Sequence, residues 1–259
     1  MNIETYLEQR KRQSEALPNY RELCTSCIQP KFSCYCRHIE RFHPNIDFMI
    51  LIHPIEVRRR IATGRMSHLC LEGSFLIRGQ DYTNVDEVNQ ILADESRQCM
   101  ILYPGKTSTN LTPLNAEERK NLFDPSKKLT LFVIDGTWLT AKKMMRQSQN
   151  LLNLPRICFS PEKPSNFRVR KQPHSACYST LEAIHHTIEL LGESQGFEVS
   201  SRVHDRLLHV FDSMVELQLS FIKKADEIDS PKRYRKPTSV DRETSLNFQG
   251  TSSRVLLKV

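Results

Sequence analysis

Asp135-Gly136-Thr137-Trp138 contains the only tryptophan of the chain, set between an apolar run, Leu129 to Ile134, and a basic, helix-like run, Leu139 to Asn150. A strand is expected to end on a carboxylate, turn at a glycine and feed a helix. α/β proteins present reactive groups at the carboxyl edge of a sheet in this way. A carboxylate there can take a proton, attract a cation or cap the following helix. Trp138 could stack on a base or anchor a core. Similar polar turns follow other apolar runs: His53-Pro54-Ile55-Glu56 after Phe48 to Ile52, and Tyr103-Pro104-Gly105 after Met100 to Leu102. Thr63-Gly64-Arg65, Arg168 to Pro173 and Ser179-Thr180-Leu181-Glu182 complete the set. Singly, each has a plain reading. His53 could be a satisfied core histidine, Arg58 to Arg60 a solvated turn, and Ser179 or Thr180 a helix cap with Glu182 in the electropositive first turn. Together they outline a crevice built from loops.

A second constellation is Cys24-x2-Cys27 followed by Cys34-x-Cys36. Two close pairs gather four thiolates at little cost in chain entropy, and four soft ligands suit tetrahedral zinc. Neither pair has an adjacent histidine, although His38 and His43 lie just beyond, so a closed structural site is expected. A reduced set, a redox pair or an iron–sulfur site would use the same thiols, but no redox motif accompanies them. Lys31, Arg37, His38, Arg41 and His43 surround the cysteines, with Phe32, Tyr35 and Phe42 interleaved. Such aromatics could stack on a flexible nucleic-acid strand or supply the core of a small knuckle.

These groups must be positioned by the rest of the 259-residue chain, which is long enough to bury a substantial core. Strands are expected at Asp47–His53, Ser74–Ile77, Cys99–Tyr103, Leu129–Ile134 and Arg156–Phe159. Helices are expected at Asp86–Ala93, Ala116–Leu122, Leu139–Asn150 and Thr180–Leu191. This alternation predicts an α/β fold with a mostly parallel sheet and flanking helices. Val203, Leu207, Val210, Met214, Leu217 and Phe221 form an apolar helical stripe, expected to pack on the sheet domain. Lys142, Lys143 and Arg146 share the outer face of the helix after Trp138, whose buried side is expected to hold Trp138, Met145 and Leu152. The division expected is a charged helical extension (1–20), a zinc knuckle (21–45), a catalytic domain (46–224) and a mobile, basic polar tail (225–259).

Lys plus Arg exceed Asp plus Glu by 37 to 30, a net charge of +7 that modestly favours a polyanionic partner. No apolar run is long enough to span a membrane, and the charged N-terminus lacks a signal-peptide core, so a cytoplasmic protein is expected. The scattered Cys70, Cys99, Cys158 and Cys177 then read as ordinary thiols. A Walker phosphate loop, a Gly-x-Gly-x-x-Gly fingerprint and a Gly-x-Ser-x-Gly elbow are all missing, so nucleotide-hydrolase, Rossmann and serine-hydrolase readings have no support.

The ordered set of Cys-x2-Cys-x6-Cys-x-Cys, His-Pro-x-Glu, Thr-Gly-Arg, Asp-Gly-Thr-Trp-x2-Ala-Lys-Lys-Met, Leu154-Pro155, Arg-Lys-Gln-Pro and Ser-Thr-Leu-Glu-Ala, from about Cys24 to Leu191, resembles the DTW-domain family of tRNA-uridine aminocarboxypropyltransferases. One departure is Ala62 where family members often carry Asn. The resemblance implies a SPOUT-like fold, with room for a C-terminal trefoil knot that no periodicity shows. It also implies S-adenosylmethionine as donor and tRNA as acceptor, with acp3-uridine and methylthioadenosine as products. On this reading Asp135 is the first candidate for the base. The donor site is expected at His53, Glu56, Tyr103, Pro104, Gly105, Asp135, Gly136, Thr137, Trp138, Ser179, Thr180 and Glu182. Substrate contacts are expected from Arg59, Arg65, Lys142, Lys143, Arg146, Arg170 and Lys171, and structural Zn2+ on Cys24, Cys27, Cys34 and Cys36. An RNA methyltransferase using the same donor, and a non-catalytic zinc RNA-binding module, are the competing readings. Oligomeric state is not legible.

Overall fold

The computed structural model describes residues 3–5, 7–8, 22–59, 61–170 and 177–227. Residues 3–5 and 7–8 are helical; the rest of the expected N-terminal helix lies outside the described residues, as does Lys171, and of the expected tail (225–259) residues 225–227 still belong to the last helix while the rest lies outside the described residues. The strands are β1 (Asp47–Ile52), β2 (Ser74–Arg78), β3 (Arg97–Leu102), β4 (Thr109–Asn110), β5 (Lys128–Asp135) and β6 (Arg156–Cys158). They form one sheet in the order β2-β1-β5-β3-β6-β4, with parallel pairing throughout. The α-helices are α1 (Pro54–Val57), α2 (Thr63–Cys70), α3 (Asp86–Ala93), α4 (Ala116–Lys120), α5 (Trp138–Gln147), α6 (Thr180–Leu191) and α7 (Arg206–Glu227).

Alternation along the strands divides the core. Phe48 and Ile50 of β1, Met100 of β3 and Leu129, Leu131 and Val133 of β5 join one apolar cluster with residues of α2, α6 and α7. Met49, Leu51, Ile101 and Phe132 face the opposite cluster, with Val88 of α3 and Met144 and Met145 of α5. The sheet is therefore covered on both faces, which is why β1 is buried at every position and reads as a continuous apolar run. Each large side chain buried this way contributes about 1.5–3 kcal/mol.

Of the expected stripe, Leu207, Val210 and Met214 lie in the first cluster, joined there by Phe211 and Val215, whereas Leu217 and Phe221, further along α7, are only half-buried and lie outside it. Val203 belongs to a short 3-10 turn that precedes the helix. α1, α2 and β4 were not expected from the sequence, and α5 ends at Gln147, where a 3-10 turn, Gln149–Leu151, replaces its expected last turn. At the amino edge of the sheet, buried Asp47 meets Arg97 at 2.6 Å and Lys128 at 2.8 Å, tying together the starts of β1, β3 and β5.

Candidate active site and cysteine cluster

The strand order sets β5 between β1 and β3, so three polar turns separated in sequence emerge side by side at the carboxyl edge. Ile52 stands opposite Asp135, and Leu102 opposite Val133. The His53 amide donates to the Asp135 carbonyl at 2.9 Å, carrying the pairing one step past β1. A switch in the direction of strand order opens a crevice of the kind in which α/β sheets bind ligands.

Asp135 closes β5 with 5% of its surface exposed. Oδ1 accepts from the Thr180 hydroxyl at 2.6 Å. Oδ2 has no hydrogen-bond partner among the described residues. A Cβ built on Gly64 would lie 2.4 Å from Oδ2, so glycine is what lets α2 approach this carboxylate. Burial pushes the Asp135 carboxyl up to about 6; Thr180, Arg170 and the nearby Gly64 amide oppose that rise, while Glu56 adds to it. Asp135 does not cap α5. Thr137 does so, its hydroxyl accepting from the Thr140 amide at 3.2 Å. The carboxylate is thereby free for another role.

Glu56, 2% exposed, is the second acid of this edge. Oε2 meets Arg59 Nε at 3.1 Å, and Oε1 lies 4.0 Å from Arg170 Nη2 with no hydrogen-bond partner among the described residues. His53 caps α1, its Nδ1 accepting from the Ile55 amide at 3.2 Å, which leaves a proton on Nε2 in the neutral ring. Arg65, expected to meet substrate, is buried and spends its guanidinium on the carbonyls of Val57 at 2.7 Å and Cys27 at 3.5 Å.

Ser179 and Glu182 form a capping box at the start of α6. The Glu182 carboxylate also accepts from the Ser165 hydroxyl and the Asn166 amide, each at 2.7 Å, clasping that loop to the helix. These bonds fix the helix that delivers Thr180 to Asp135. Tyr103, Pro104 and Gly105 leave the neighbouring β3; Arg156 lies 5.9 Å over the Tyr103 ring. Trp138 opens α5 and is 43% exposed, and Leu152 is 37% exposed. The expected buried face therefore holds for Met145 alone of the three. Trp138 precedes the first full turn, and the break at Ser148 takes Leu152 out of helical phase. Lys142, Lys143 and Arg146 are exposed on the outer face.

The role of Gly64 as the close neighbour of Asp135 was not read from sequence, although the Thr-Gly-Arg turn contained it. Ala62, at the N-cap of α2, offers no side-chain cap.

The sulfurs of Cys24, Cys27, Cys34 and Cys36 all lie within 4.8 Å of one another. Cys24 and Cys36 approach to 3.7 Å, and Cys27 and Cys34 to 3.6 Å. Bonds of about 2.3 Å to a tetrahedral ion give a sulfur–sulfur edge of about 3.8 Å, so the spacing fits four-thiolate coordination. Backbone amides of Cys27 and Ser26 lower the Cys24 thiol to about 6, favouring the thiolate. Tyr35 and Phe42 join the main core, whereas Phe32 is exposed and meets Phe221 of α7 edge-on at 5.7 Å.

Fold and site define an α/β protein with two buried carboxylates, Asp135 and Glu56, at the carboxyl edge of a parallel sheet and a four-cysteine cluster joined to its core. The DTW domain matches residues 21–219, and the chain belongs to that family. It is 33% identical over 174 residues to tRNA-uridine aminocarboxypropyltransferase 2 of Drosophila melanogaster, covering 64% of each protein. The protein of the same name in Mus musculus is 26% identical over 201 residues, covering 76% of this chain and 63% of the mouse protein. tRNA-uridine aminocarboxypropyltransferase A of Arabidopsis thaliana is 24% identical over 225 residues, covering 78% of this chain and 83% of the plant protein. The chain thus spans a little under two thirds of the insect and mouse relatives. No solved structure matches it. Among the described residues, no helix is long and apolar enough to cross a membrane.

Proposed function

We propose that this chain transfers the 3-amino-3-carboxypropyl group of S-adenosylmethionine to N3 of a uridine in tRNA. The observation that carries the reading is Asp135: a buried carboxylate raised to about 6, with one oxygen held by Thr180 and the other unpaired among the described residues. The names of the insect, mouse and plant relatives support it. The donor is a cation at sulfur and at its ammonium. Two buried carboxylate oxygens that have no hydrogen-bond partner among the described residues, Asp135 Oδ2 and Glu56 Oε1, suit such a ligand.

When bound, the donor supplies a carbon activated by the adjacent sulfonium. The protein must choose that carbon over its two neighbours, which is a matter of position. Uridine N3 is conjugated with two carbonyls and carries a proton, so its lone pair is freed only as that proton leaves. In this reading Asp135 accepts it while N3 bonds to carbon and the carbon–sulfur bond breaks, releasing methylthioadenosine. A carboxyl near 6 is ionised at neutral pH yet basic enough to help. Trp138, Tyr103 and the turns around His53 and Gly105 would shape the donor site, with Arg59, Arg170 and Lys171 near carboxylate or phosphate and Lys142, Lys143 and Arg146 along the tRNA backbone; Arg65, bonded to the Val57 and Cys27 carbonyls, would hold α2 in place instead. Zn2+ on the four cysteines would be structural. A SPOUT-like assignment with a C-terminal knot, and a cytoplasmic location, belong to the same proposal.

With S-adenosylmethionine and unmodified tRNA, the purified protein should release methylthioadenosine, and Asp135→Ala should reduce that release by about 10²–10⁴-fold. Release of S-adenosylhomocysteine in its place would make the protein a methyltransferase and overturn the assignment.

A further inference from the structure

At the far end of α6 from Thr180, a cluster outside the crevice joins two helices. His185 and Glu189 are one turn apart on α6, and His204 and Asp205 lie in the 3-10 turn before α7. His185 Nε2 is 2.8 Å from Asp205 Oδ1. His204 Nε2 is 3.7 Å from Glu189 Oε1 and 3.9 Å from Asp205 Oδ1. His204 is 0% exposed, and neither of its ring nitrogens has a hydrogen-bond partner among the described residues. An imidazole left so costs free energy unless something takes its lone pair.

We propose that His185, His204 and Asp205, whose candidate ligand atoms all lie within 4.8 Å of one another, form a second site for a divalent first-row transition metal. Imidazole with carboxylate is a ligand set such ions accept. Metal–ligand bonds of about 2.0–2.2 Å set neighbouring ligand atoms about 3–3.5 Å apart. His185 Nε2 and Asp205 Oδ1 are already closer than that and the remaining separations are at most 4.8 Å, so binding would draw the His204 ring toward the other two ligands. Arg202 holds the carboxylates from outside, donating to Glu189 Oε1 at 2.8 Å and to both oxygens of Asp205 at 2.6 and 2.8 Å. Each carboxylate oxygen keeps a lone pair for a metal, and such outer contacts orient ligands. Asp205 and Glu189 are partly exposed, which gives the ion a path from solvent. The ion would staple the start of α7 to the helix that carries Thr180.

The test counts metal in the full chain produced with Co2+ and passed through gel filtration. Two equivalents per chain are expected, one with thiolate-to-cobalt charge-transfer absorption from the cysteines and one with only the weak visible bands of nitrogen and oxygen ligands. His204→Gln should lose the second and keep the first. As His204 is in the core, Asp205→Asn on the rim provides a second variant with the same expectation. A single equivalent in the wild type, or two equivalents retained in both variants, would overturn the proposal. This count is independent of any transferase activity.

Discussion

Asp135 combines a favourable position with an unfavourable environment. Its carboxyl rises from 3.8 to about 6, first because burial penalises the charge. Between those values the folded protein keeps a proton that the unfolded chain has released. The stability this side chain contributes is therefore complete below about pH 4 and declines as pH rises toward 6. At neutral pH the ionised group costs at most about 3 kcal/mol, the free energy of a displacement of that size. Asp135→Asn keeps the shape and can still accept from Thr180 without the buried charge. It is expected to melt higher than wild type at pH 7, to converge with it near pH 4, and to lose methylthioadenosine release. Calorimetry at the two pH values decides this. A lower melting temperature at pH 7 would mean that the site as a whole stabilises the carboxylate.

Elements bring that carboxylate within reach of its neighbours, and the closest approach is that of α2. Gly64→Ala would ordinarily stabilise a helix by up to about 1 kcal/mol. Here the new methyl would stand 2.4 Å from Asp135 Oδ2, and contact at that distance outweighs propensity. The variant is expected to lose about 1–3 kcal/mol in chemical denaturation, along with most of its activity. Unchanged stability would show that α2 can retreat from β5 without cost. The sequence made much of this scale legible where one local rule governs. α3 and α6 fall at their expected bounds, and the five expected strands all form, because apolar runs and a capping box mark them. α2 escaped that logic. Thr63, Gly64, Arg65 and Ser67 are all buried although they form no apolar stripe. The Ser67 hydroxyl is satisfied locally, donating to the Thr63 carbonyl at 2.9 Å, whereas Arg65 reaches the Val57 and Cys27 carbonyls outside the helix. The two-residue β4 was too short to leave a pattern. Strand order was illegible for another reason: His53 and Tyr103 reach the Asp135 edge only because β5 inserts between β1 and β3, a pairing that no local signal encodes.

At the scale of the molecule, the chain carries a net charge of +7, and three of its cations stand together on the outer face of α5. The exposed Lys142, Lys143 and Arg146 follow directly on Trp138, so a polyanion along them would run past the crevice. Replacing all three by Gln is expected to weaken tRNA binding. The plot of log affinity against log salt should also become shallower, by about 0.7–0.9 for each phosphate that the helix no longer neutralises. Binding isotherms over a salt series test this, and an unchanged slope would place the tRNA elsewhere.

The cysteine cluster is part of the same body as the site. Cys27 is 0% exposed, and with Tyr35 and Phe42 it belongs to the core cluster that contains β1, β5 and α6. The Phe42 amide donates to the Cys70 carbonyl at 3.0 Å at the end of α2, and Arg65 of α2 reaches back to the Cys27 carbonyl. Zn2+ bound in such a place would contribute to folding of the whole domain, since structural zinc binding reaches about 10–16 kcal/mol in isolated zinc-finger peptides against domain stabilities of about 5–15 kcal/mol. Cys27→Ser is therefore expected to lower the melting temperature by many degrees and to reduce tRNA modification through α2, although residue 27 lies outside the crevice. Cys158→Ser, at the end of β6 and away from the cluster, should leave both unchanged. Thermal melts of the two variants under reducing conditions, with bound zinc measured in each, separate loss of a structural ion from loss of a thiol. If Cys27→Ser keeps its zinc or melts with the wild type, the cluster is not what holds α2 against Asp135.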